Sequence, residues 1–187
     1  MDQRRLVERA REGDHDAFAE LAQAAVVRLD TAARLILRDP ELARDAVQEA
    51  LIRTWRDLPK LRDPDRFDVW LHRLTVHACL DLARRHRRHR IVVSLLPMHD
   101  PGVSDAVSAH ADRELVDQVM RGLGERERAI VVLHYFLGYP LADVATTLAI
   151  PIGTVKSRLH RALTEMRLAI DPELAAPPAR TMGGEVV

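Results

Sequence analysis

The chain has 187 residues, enough for one ordinary domain or two small ones. Hydrophobic residues make up 47% of it and aromatic residues only 4%, which favours helices, because aromatic and β-branched residues favour strands. No apolar run of about 18 residues is present, so we expect no membrane insertion. The N-terminus lacks the apolar stretch of a signal peptide, and a single cysteine, Cys79, cannot form an internal disulfide. We therefore expect a cytoplasmic protein.

The formal net charge is zero, which by itself argues against a nucleic-acid-binding protein, but the charge is unevenly distributed. Residues 66–90 carry seven arginines against two aspartates, whereas residues 91–130 carry four arginines against seven acidic residues. Residues 153–170 are basic again, with four basic residues against one glutamate. Two basic blocks separated by an acidic block indicate two DNA-facing surfaces.

Apolar residues at helical spacing predict a small helical bundle over residues 1–90. A short helix over 4–11 is followed by longer ones over 16–38, 40–58 and about 66–88. Two of them should begin at Asp39-Pro40 and Asp63-Pro64, because each pair places a capping side chain directly before a proline in the first helical position. Cys79 falls inside the last of these helices and is interpreted as a small buried residue.

Helical periodicity stops after residue 90 and resumes at about residue 112. Prolines, glycine and polar residues dominate 91–111, which predicts a flexible linker that holds two modules apart. A second helical domain is predicted over 112–170, and residues 171–187, rich in Pro, Ala and Gly, are predicted to be a disordered tail. The predicted fold class is all-α, with two small helical domains.

The second domain ends in a predicted helix-turn-helix, with helices over 140–148 and 154–170. Val155, Leu159, Ala162, Leu163 and Met166 share one face of the second helix. Its other face and its flank carry Thr154, Lys156, Ser157, Arg158, His160 and Arg161. Such a helix enters the major groove of DNA and presents polar side chains to base edges. A helical hairpin with a solvated basic face is the alternative interpretation.

The run from Pro151 to Ala162 closely resembles region four of the extracytoplasmic-function sigma factors, the promoter-recognition subunits of bacterial RNA polymerase. The run from Asp45 to Glu49 resembles the polymerase-binding signature of sigma region two. The helix from Trp70 to Arg85 resembles the segment that reads and opens the minus-ten element, and the loop 59–65 matches the family's specificity loop. The resemblance covers about residues 14–90 and 112–170.

The resemblance implies a role for each group of residues. Polymerase binding falls to Asp45, Gln48 and Glu49. Minus-ten DNA binding falls to Arg62, Arg66, His77, Arg84, Arg85, Arg87 and Arg88. Minus-thirty-five binding falls to the six polar residues of the last helix named above. The implied partners are core RNA polymerase, promoter DNA and an anti-sigma factor.

The sequence carries no recognisable catalytic constellation, and we expect neither an enzyme nor a metal, cofactor or small-molecule substrate. His86 and His89 lie within an arginine run, whose repulsion disfavours a bound cation.

Four features depart from the family pattern, one of them Gly124-Glu125, which replaces the usual Pro-containing start of the region-four core helix. His77 stands where asparagine is usual, so recognition of a flipped base can differ here. Ala149 replaces the commoner glycine in the turn, at a cost of about 1 kcal/mol if its φ is positive. Ile152 replaces a residue that is frequently polar or acidic.

Two other classes of protein remain open. A helix-turn-helix repressor or activator would bind duplex operators without polymerase, although the motif from Asp45 to Glu49 would then have no purpose. A sigma-like decoy that occupies an anti-sigma factor would bind protein only and would melt no promoter.

Overall fold

The computed structural model describes residues 2–93 and 111–171, and every regular element in these two ranges is helical. The eight α-helices in this described part of the chain are α1 (Gln3–Arg11), α2 (His15–Leu37), α3 (Pro40–Asp57), α4 (Phe67–Val93), α5 (Ala111–Arg121), α6 (Glu125–Val131), α7 (Leu141–Leu148) and α8 (Ile152–Ile170). Two 3₁₀ turns, Leu58–Lys60 and Pro64–Arg66, connect α3 to α4. A π-helical turn, Val132–Phe136, follows α6.

Helices α1–α4 form the N-terminal unit, and capping aspartates fix the starts of α1, α2 and α3. Asp39 precedes Pro40, and its carboxylate accepts hydrogen bonds from the backbone N–H groups of Glu41 and Leu42. The predicted start of α3 is therefore confirmed. Asp63 accepts from the N–H of Asp65, but it begins a 3₁₀ turn that leads into α4 rather than the α-helix itself.

The core of the N-terminal unit lies between α2, α3 and α4, with α1 packed across α2. The apolar stripe that helical spacing predicts on α2 faces the core: Leu21, Leu29, Ala32 and Ile36 are buried, and Phe18 and Ala25 are half-buried. Helix α4 continues to Val93, three residues into the segment predicted as linker. The predicted boundary is too early because Ile91, Val92 and Val93 are apolar residues without a helix-stop signal and extend α4. The remainder of the predicted linker and the predicted tail after Asp171 lie outside the described residues.

Helices α5–α8 form the C-terminal unit, in which α8 packs against α5, α6 and α7. The predicted inner face of α8 is confirmed: Val155, Leu159 and Ala162 are buried, and Leu163 and Met166 are half-buried. Helix α8 begins at Ile152, two residues before its predicted start, because the Pro151 carbonyl already accepts from the N–H groups of Thr154 and Val155.

The two units are in direct contact, whereas the sequence predicted modules held apart. Arg128 of α6 is only 7% exposed, and its guanidinium donates to the Ile36 carbonyl at 2.6 Å and to the Leu123 carbonyl at 2.5 Å. Arg38, at the end of α2, makes a two-pronged ion pair with Asp117 of α5, at 3.2 and 3.1 Å. These contacts tie α2 to α5 and α6. In the described ranges, no helix is both long and apolar enough to span a membrane.

Candidate polymerase and nucleic-acid interface

The acidic face of α3 is divided between solvent and the protein. Asp45 and Gln48 are exposed, as a docking surface requires. Glu49 is half-buried, and its carboxylate accepts from Arg53 one turn further along α3 and from Arg85 of α4 at 3.1 Å. The structure therefore places Asp45 and Gln48 together on the surface and uses Glu49 to connect α3 with α4.

Four of the predicted minus-ten residues, Arg84, Arg85, Arg87 and Arg88, are exposed at the end of α4. Arg84 pairs with Asp81 at 2.6 Å, and Arg87 reaches Glu125 of α6 at 2.5 Å. Arg88 has no carboxylate partner in the part of the chain that the structure describes. Guanidinium groups this exposed can exchange a carboxylate for a phosphate at little cost, because ion pairs in solvent contribute only about 0–1 kcal/mol.

The loop before α4 presents the remaining two predicted arginines of this surface. Arg62 and Arg66 are exposed, and Arg66 lies 3.8 Å from the Asp63 carboxylate. Between them, Leu61 and Pro64 are buried and anchor the loop on the N-terminal unit. The loop is therefore held in place while its charged side chains remain available.

His77 does not lie with these arginines on the open surface. Its side chain is half-buried, and Nε2 lies 2.6 Å from the Thr147 carbonyl of α7, to which it donates. One turn earlier on α4, His72 Nδ1 lies 2.5 Å from the Tyr139 hydroxyl. Burial lowers the pKa of His72 and raises the pKa of Tyr139 to about 12, so both are neutral near pH 7. The C-terminal unit thus covers this face of α4.

The polar face of α8 is open at its predicted contact residues. Lys156, Ser157, His160 and Arg161 are exposed, and Thr154 and Arg158 are half-buried. The Ser157 hydroxyl donates to the Thr154 carbonyl at 3.1 Å. Arg161 is held by Glu127 of α6 at 2.6 Å and lies 3.8 Å from Glu165. To reach DNA, Arg161 has to release Glu127.

Metal and thiol chemistry receive no support from the described residues. Within residues 2–93 and 111–171, no group of three or more His, Cys, Asp or Glu side chains could hold a metal ion. Cys79 is fully buried, and burial raises the pKa of its thiol to about 12. Its interpretation as a small core residue is confirmed.

Two family models match the chain, each over one of its units. Residues 29–89 match Sigma-70 region 2, and residues 113–166 match Sigma-70, region 4. The ECF RNA polymerase sigma factor SigM of Mycobacterium tuberculosis is 36% identical over 151 residues, which cover 80% of this chain and 75% of SigM. The chain belongs to the ECF family of RNA polymerase sigma factors. Sigma factors direct RNA polymerase to promoters.

Solved structures share the fold of this sigma factor. CnrH, solved in complex with the cytosolic domain of CnrY, superposes with a TM-score of 0.64 at 25% identity, over 91% of this chain and 98% of CnrH. The sigma factor RpoE of Bartonella quintana, solved with the anti-sigma factor NepR, gives a TM-score of 0.65 at 19% identity, over 81% and 96% of the two chains. The all-α class with two helical units is confirmed.

Sequence reasoning missed the residues that join the two units of this sigma factor. They are Arg38, Asp117, Arg128, Tyr139 and Thr147. Arg128 directly precedes the apolar run Ala129–Val131 but carries no signal of burial, because an arginine is mostly exposed in proteins. The partners of the other four lie far away in the sequence, so no local pattern marks them.

Proposed function

We propose that this sigma factor binds core RNA polymerase, recognises promoter DNA at two elements and promotes melting of the minus-ten element. It acts in the cytoplasm and forms no covalent bond, while the core enzyme performs nucleotidyl transfer. Residues 1–90 serve polymerase and minus-ten binding, residues 112–170 serve minus-thirty-five binding, and residues 91–111 connect them. The observation that carries the proposal is one chain in which an exposed acidic face on α3 adjoins an arginine-rich α4 and is followed by a basic helix-turn-helix.

Polymerase docking is assigned to Asp45 and Gln48, with Glu49 supporting them. The two exposed side chains offer a carboxylate and an amide on one helical face, a suitable partner for a basic or polar helix. Glu49 keeps this face fixed relative to α4, because its carboxylate joins Arg53 to Arg85. Docking and minus-ten recognition are thereby coupled through one pair of helices.

Minus-ten binding is assigned to Arg62, Arg66, Arg84, Arg85, Arg87 and Arg88, which supply phosphate neutralisation. Such contacts fix position and affinity but carry little sequence information. Trapping a flipped base requires in addition a pocket that offsets a few kcal/mol of lost stacking. The anchored loop 59–65 is the place for it. His77 can contribute only after the two units separate, because Thr147 occupies its Nε2.

Minus-thirty-five recognition is assigned to α8, whose exposed residues Lys156, Ser157, His160 and Arg161 lie on one side of a buried apolar stripe. Thr154 and Arg158 flank them near the helix start, where major-groove helices contact bases. Arginine and lysine can donate to the O6 and N7 acceptors of guanine. Ser157 and His160 complete the surface.

A regulatory partner of the anti-sigma class is also proposed. The support is membership of the ECF family together with the CnrH fold, which was solved holding the cytosolic domain of a second protein. Such a partner would compete for the surfaces that polymerase and DNA need.

Charge reversal at Asp45 tests the docking assignment. Asp45→Arg should abolish co-purification with core RNA polymerase while leaving the fold unchanged, because Asp45 is exposed and has no ion-pair partner among the described residues. The matched control is Glu20→Arg, the same type of reversal at an exposed position of α2. Loss of binding in Asp45→Arg alone supports the assignment. Equal binding of both variants and the unchanged chain would exclude a docking role for Asp45.

A further inference from the structure

A cleft of about 530 Å³ lies between the two units, and its lining combines arginines assigned above to DNA binding with residues that have no assigned role. Helices α3 and α4 of the N-terminal unit form one wall, and α6, α8 and the end of α7 form the other.

The lining is strongly cationic, with six arginines against two carboxylates. Both carboxylates already have partners. Asp81 pairs with Arg84 at 2.6 Å and lies 3.7 Å from Arg53, and Glu125 pairs with Arg87 at 2.5 Å. The remaining three arginines, Arg88, Arg126 and Arg158, have no carboxylate partner among the side chains that the structure describes, those of residues 2–88 and 115–171.

These three guanidiniums come from both walls, one from α4 and two from the C-terminal unit. Bringing like charges together across a cleft opposes the contact of the two units, since like charges within a Debye length of about 10 Å repel. The contact nevertheless includes buried, well-partnered groups such as Arg128. An anion bound between the walls would attract the guanidinium groups of both units and so offset their mutual repulsion.

The dimensions favour a small ligand over a nucleic-acid duplex. Ligand cavities usually have volumes of about 300–1,000 Å³, which includes this one. The walls are also connected directly, by Arg87 with Glu125 and by His77 with the Thr147 carbonyl, which limits the width of the cleft. Apolar side chains, Leu80, Leu148 and Ile150, provide a surface for a flat apolar group beside the charges.

We propose that the interdomain cleft binds a polyphosphate anion with a charge of about −4, which matches the excess of four arginines and holds the two units together. Arginine suits this role because its fork donates two parallel hydrogen bonds to phosphate oxygens. The shared chemistry is the triphosphate chain, which inorganic triphosphate and a nucleoside triphosphate both carry. The proposal requires neither polymerase nor promoter, so it can fail or succeed separately from the sigma function.

The test is isothermal titration of the full-length protein with inorganic triphosphate, with ATP and with orthophosphate, all without added metal ions. We expect saturable binding of one triphosphate per chain, a rise in the thermal unfolding midpoint with ligand, and much weaker binding of orthophosphate. Tighter binding of ATP than of triphosphate would show that the apolar wall contacts the base, and the natural ligand would then be a nucleotide. Equal binding would assign it to the triphosphate chain alone.

Arg126→Ala is the decisive variant, because Arg126 lines the cleft and belongs to none of the assigned DNA-binding sets. We expect it to weaken triphosphate binding at least about tenfold, as loss of one charge-assisted contact does. Arg73→Ala is the matched control, an exposed arginine of α4 outside the cleft, and should change binding less than about twofold. Circular dichroism of both variants checks that the fold is retained.

Three results would overturn the proposal. One is the absence of saturable triphosphate binding by the unchanged chain. Another is an equal effect of Arg126→Ala and Arg73→Ala, which would show diffuse ionic attraction without a site. The third is Arg126-dependent binding of a single-stranded oligonucleotide without any binding of triphosphate, which would make the cleft part of the DNA surface.

Discussion

Ala149 is a non-glycine residue with a left-handed backbone, at φ +51° and ψ +46°, in the turn between α7 and α8. The amide of Ala149 donates to the Thr146 carbonyl at 3.3 Å, and the next amide donates to the Ala145 carbonyl at 3.1 Å. These hydrogen bonds terminate α7 and set the direction in which the chain enters α8. The methyl group of Ala149 is therefore kept in a conformation that costs an L-residue about 1–2 kcal/mol.

Replacing Ala149 with glycine should relieve this strain. We expect Ala149→Gly to raise the free energy of unfolding by about 1 kcal/mol, measured by urea denaturation. Ala24→Gly, at an exposed position in the middle of α2, is the control and should lower it by about 0.5–1 kcal/mol. A destabilising effect at both positions would show that the turn is not strained.

For the predicted site residues, the sequence indicates which side chains are exposed and charged, but not which groups of the protein they contact. The exposure of Asp45, Gln48, Lys156 and Arg161 follows from helical spacing, because each lies opposite an apolar stripe. The half-buried state of His77 does not follow, since its partner is a carbonyl 70 positions away in the sequence. The resemblance places Glu49 with Asp45 in polymerase binding, yet the Glu49 carboxylate pairs with Arg85 of the neighbouring helix α4.

At the scale of the elements, helix starts were more predictable than helix ends. Aspartate followed by proline fixes the first turn of α3 locally through side-chain and backbone hydrogen bonds. The end of α4 has no comparable stop signal before Pro97, so composition alone placed it too early. Helix α8 begins two residues before its predicted start, because Gly153 lies in the first helical turn after Pro151 and not in the preceding connection.

Helix α8 gives the sharpest prediction on DNA recognition. Arg161→Ala should weaken binding of the polymerase holoenzyme to a promoter by about 1–3 kcal/mol if the guanidinium reads a base. The measurement is the apparent Kd by filter binding with promoters that carry or lack the minus-thirty-five element. The effect should disappear when the element is absent.

Arg167→Ala is the matched control for this measurement. It removes the same charge from an exposed position in the last turn of α8, away from the start of the recognition helix. We expect a smaller effect that does not depend on promoter sequence. Equal losses of promoter affinity for Arg161→Ala and Arg167→Ala would show that Arg161 contacts phosphate and does not read a base.

In the molecule as a whole, the contact between the two units includes His72, whose protonation affects stability. His72 is buried on α4 against the Tyr139 hydroxyl, with Asp68 and Arg28 as the nearest influential charges. Burial lowers the pKa of His72 below its ordinary value of 6.5, so the folded protein binds this proton less readily than the unfolded chain does. The stability that depends on neutral His72 is therefore present above pH 6.5 and is lost as the pH falls below it.

This linkage can be measured by urea denaturation at several pH values between 7.5 and 5. As the pH is lowered, the free energy of unfolding should decrease more steeply for the unchanged chain than for His72→Gln, in which the titrating group is absent. The comparison isolates His72 from the other histidines, since these are present in both proteins. Parallel curves would show that His72 does not link protonation to the folded state.

The closed contact between the units also has a consequence for function. The Thr147 carbonyl occupies His77 across this contact, and within the C-terminal unit Glu127 occupies Arg161, so both predicted DNA surfaces are partly engaged within the molecule. Binding of polymerase and promoter therefore has to replace these internal contacts with external ones. Because the engaged side chains are half-buried or exposed, each replacement exchanges one hydrogen bond or ion pair for another.

Run-off transcription with purified core RNA polymerase is the most direct test of the central claim that this chain selects promoters and opens them. Templates from the genome of origin would be transcribed with and without the chain, and permanganate would probe unpaired thymines in the minus-ten element. We expect discrete transcripts and reactive thymines that depend on the chain and are lost in Asp45→Arg. Promoter binding without polymerase dependence, or association with polymerase without any start site or melted thymine, would contradict it.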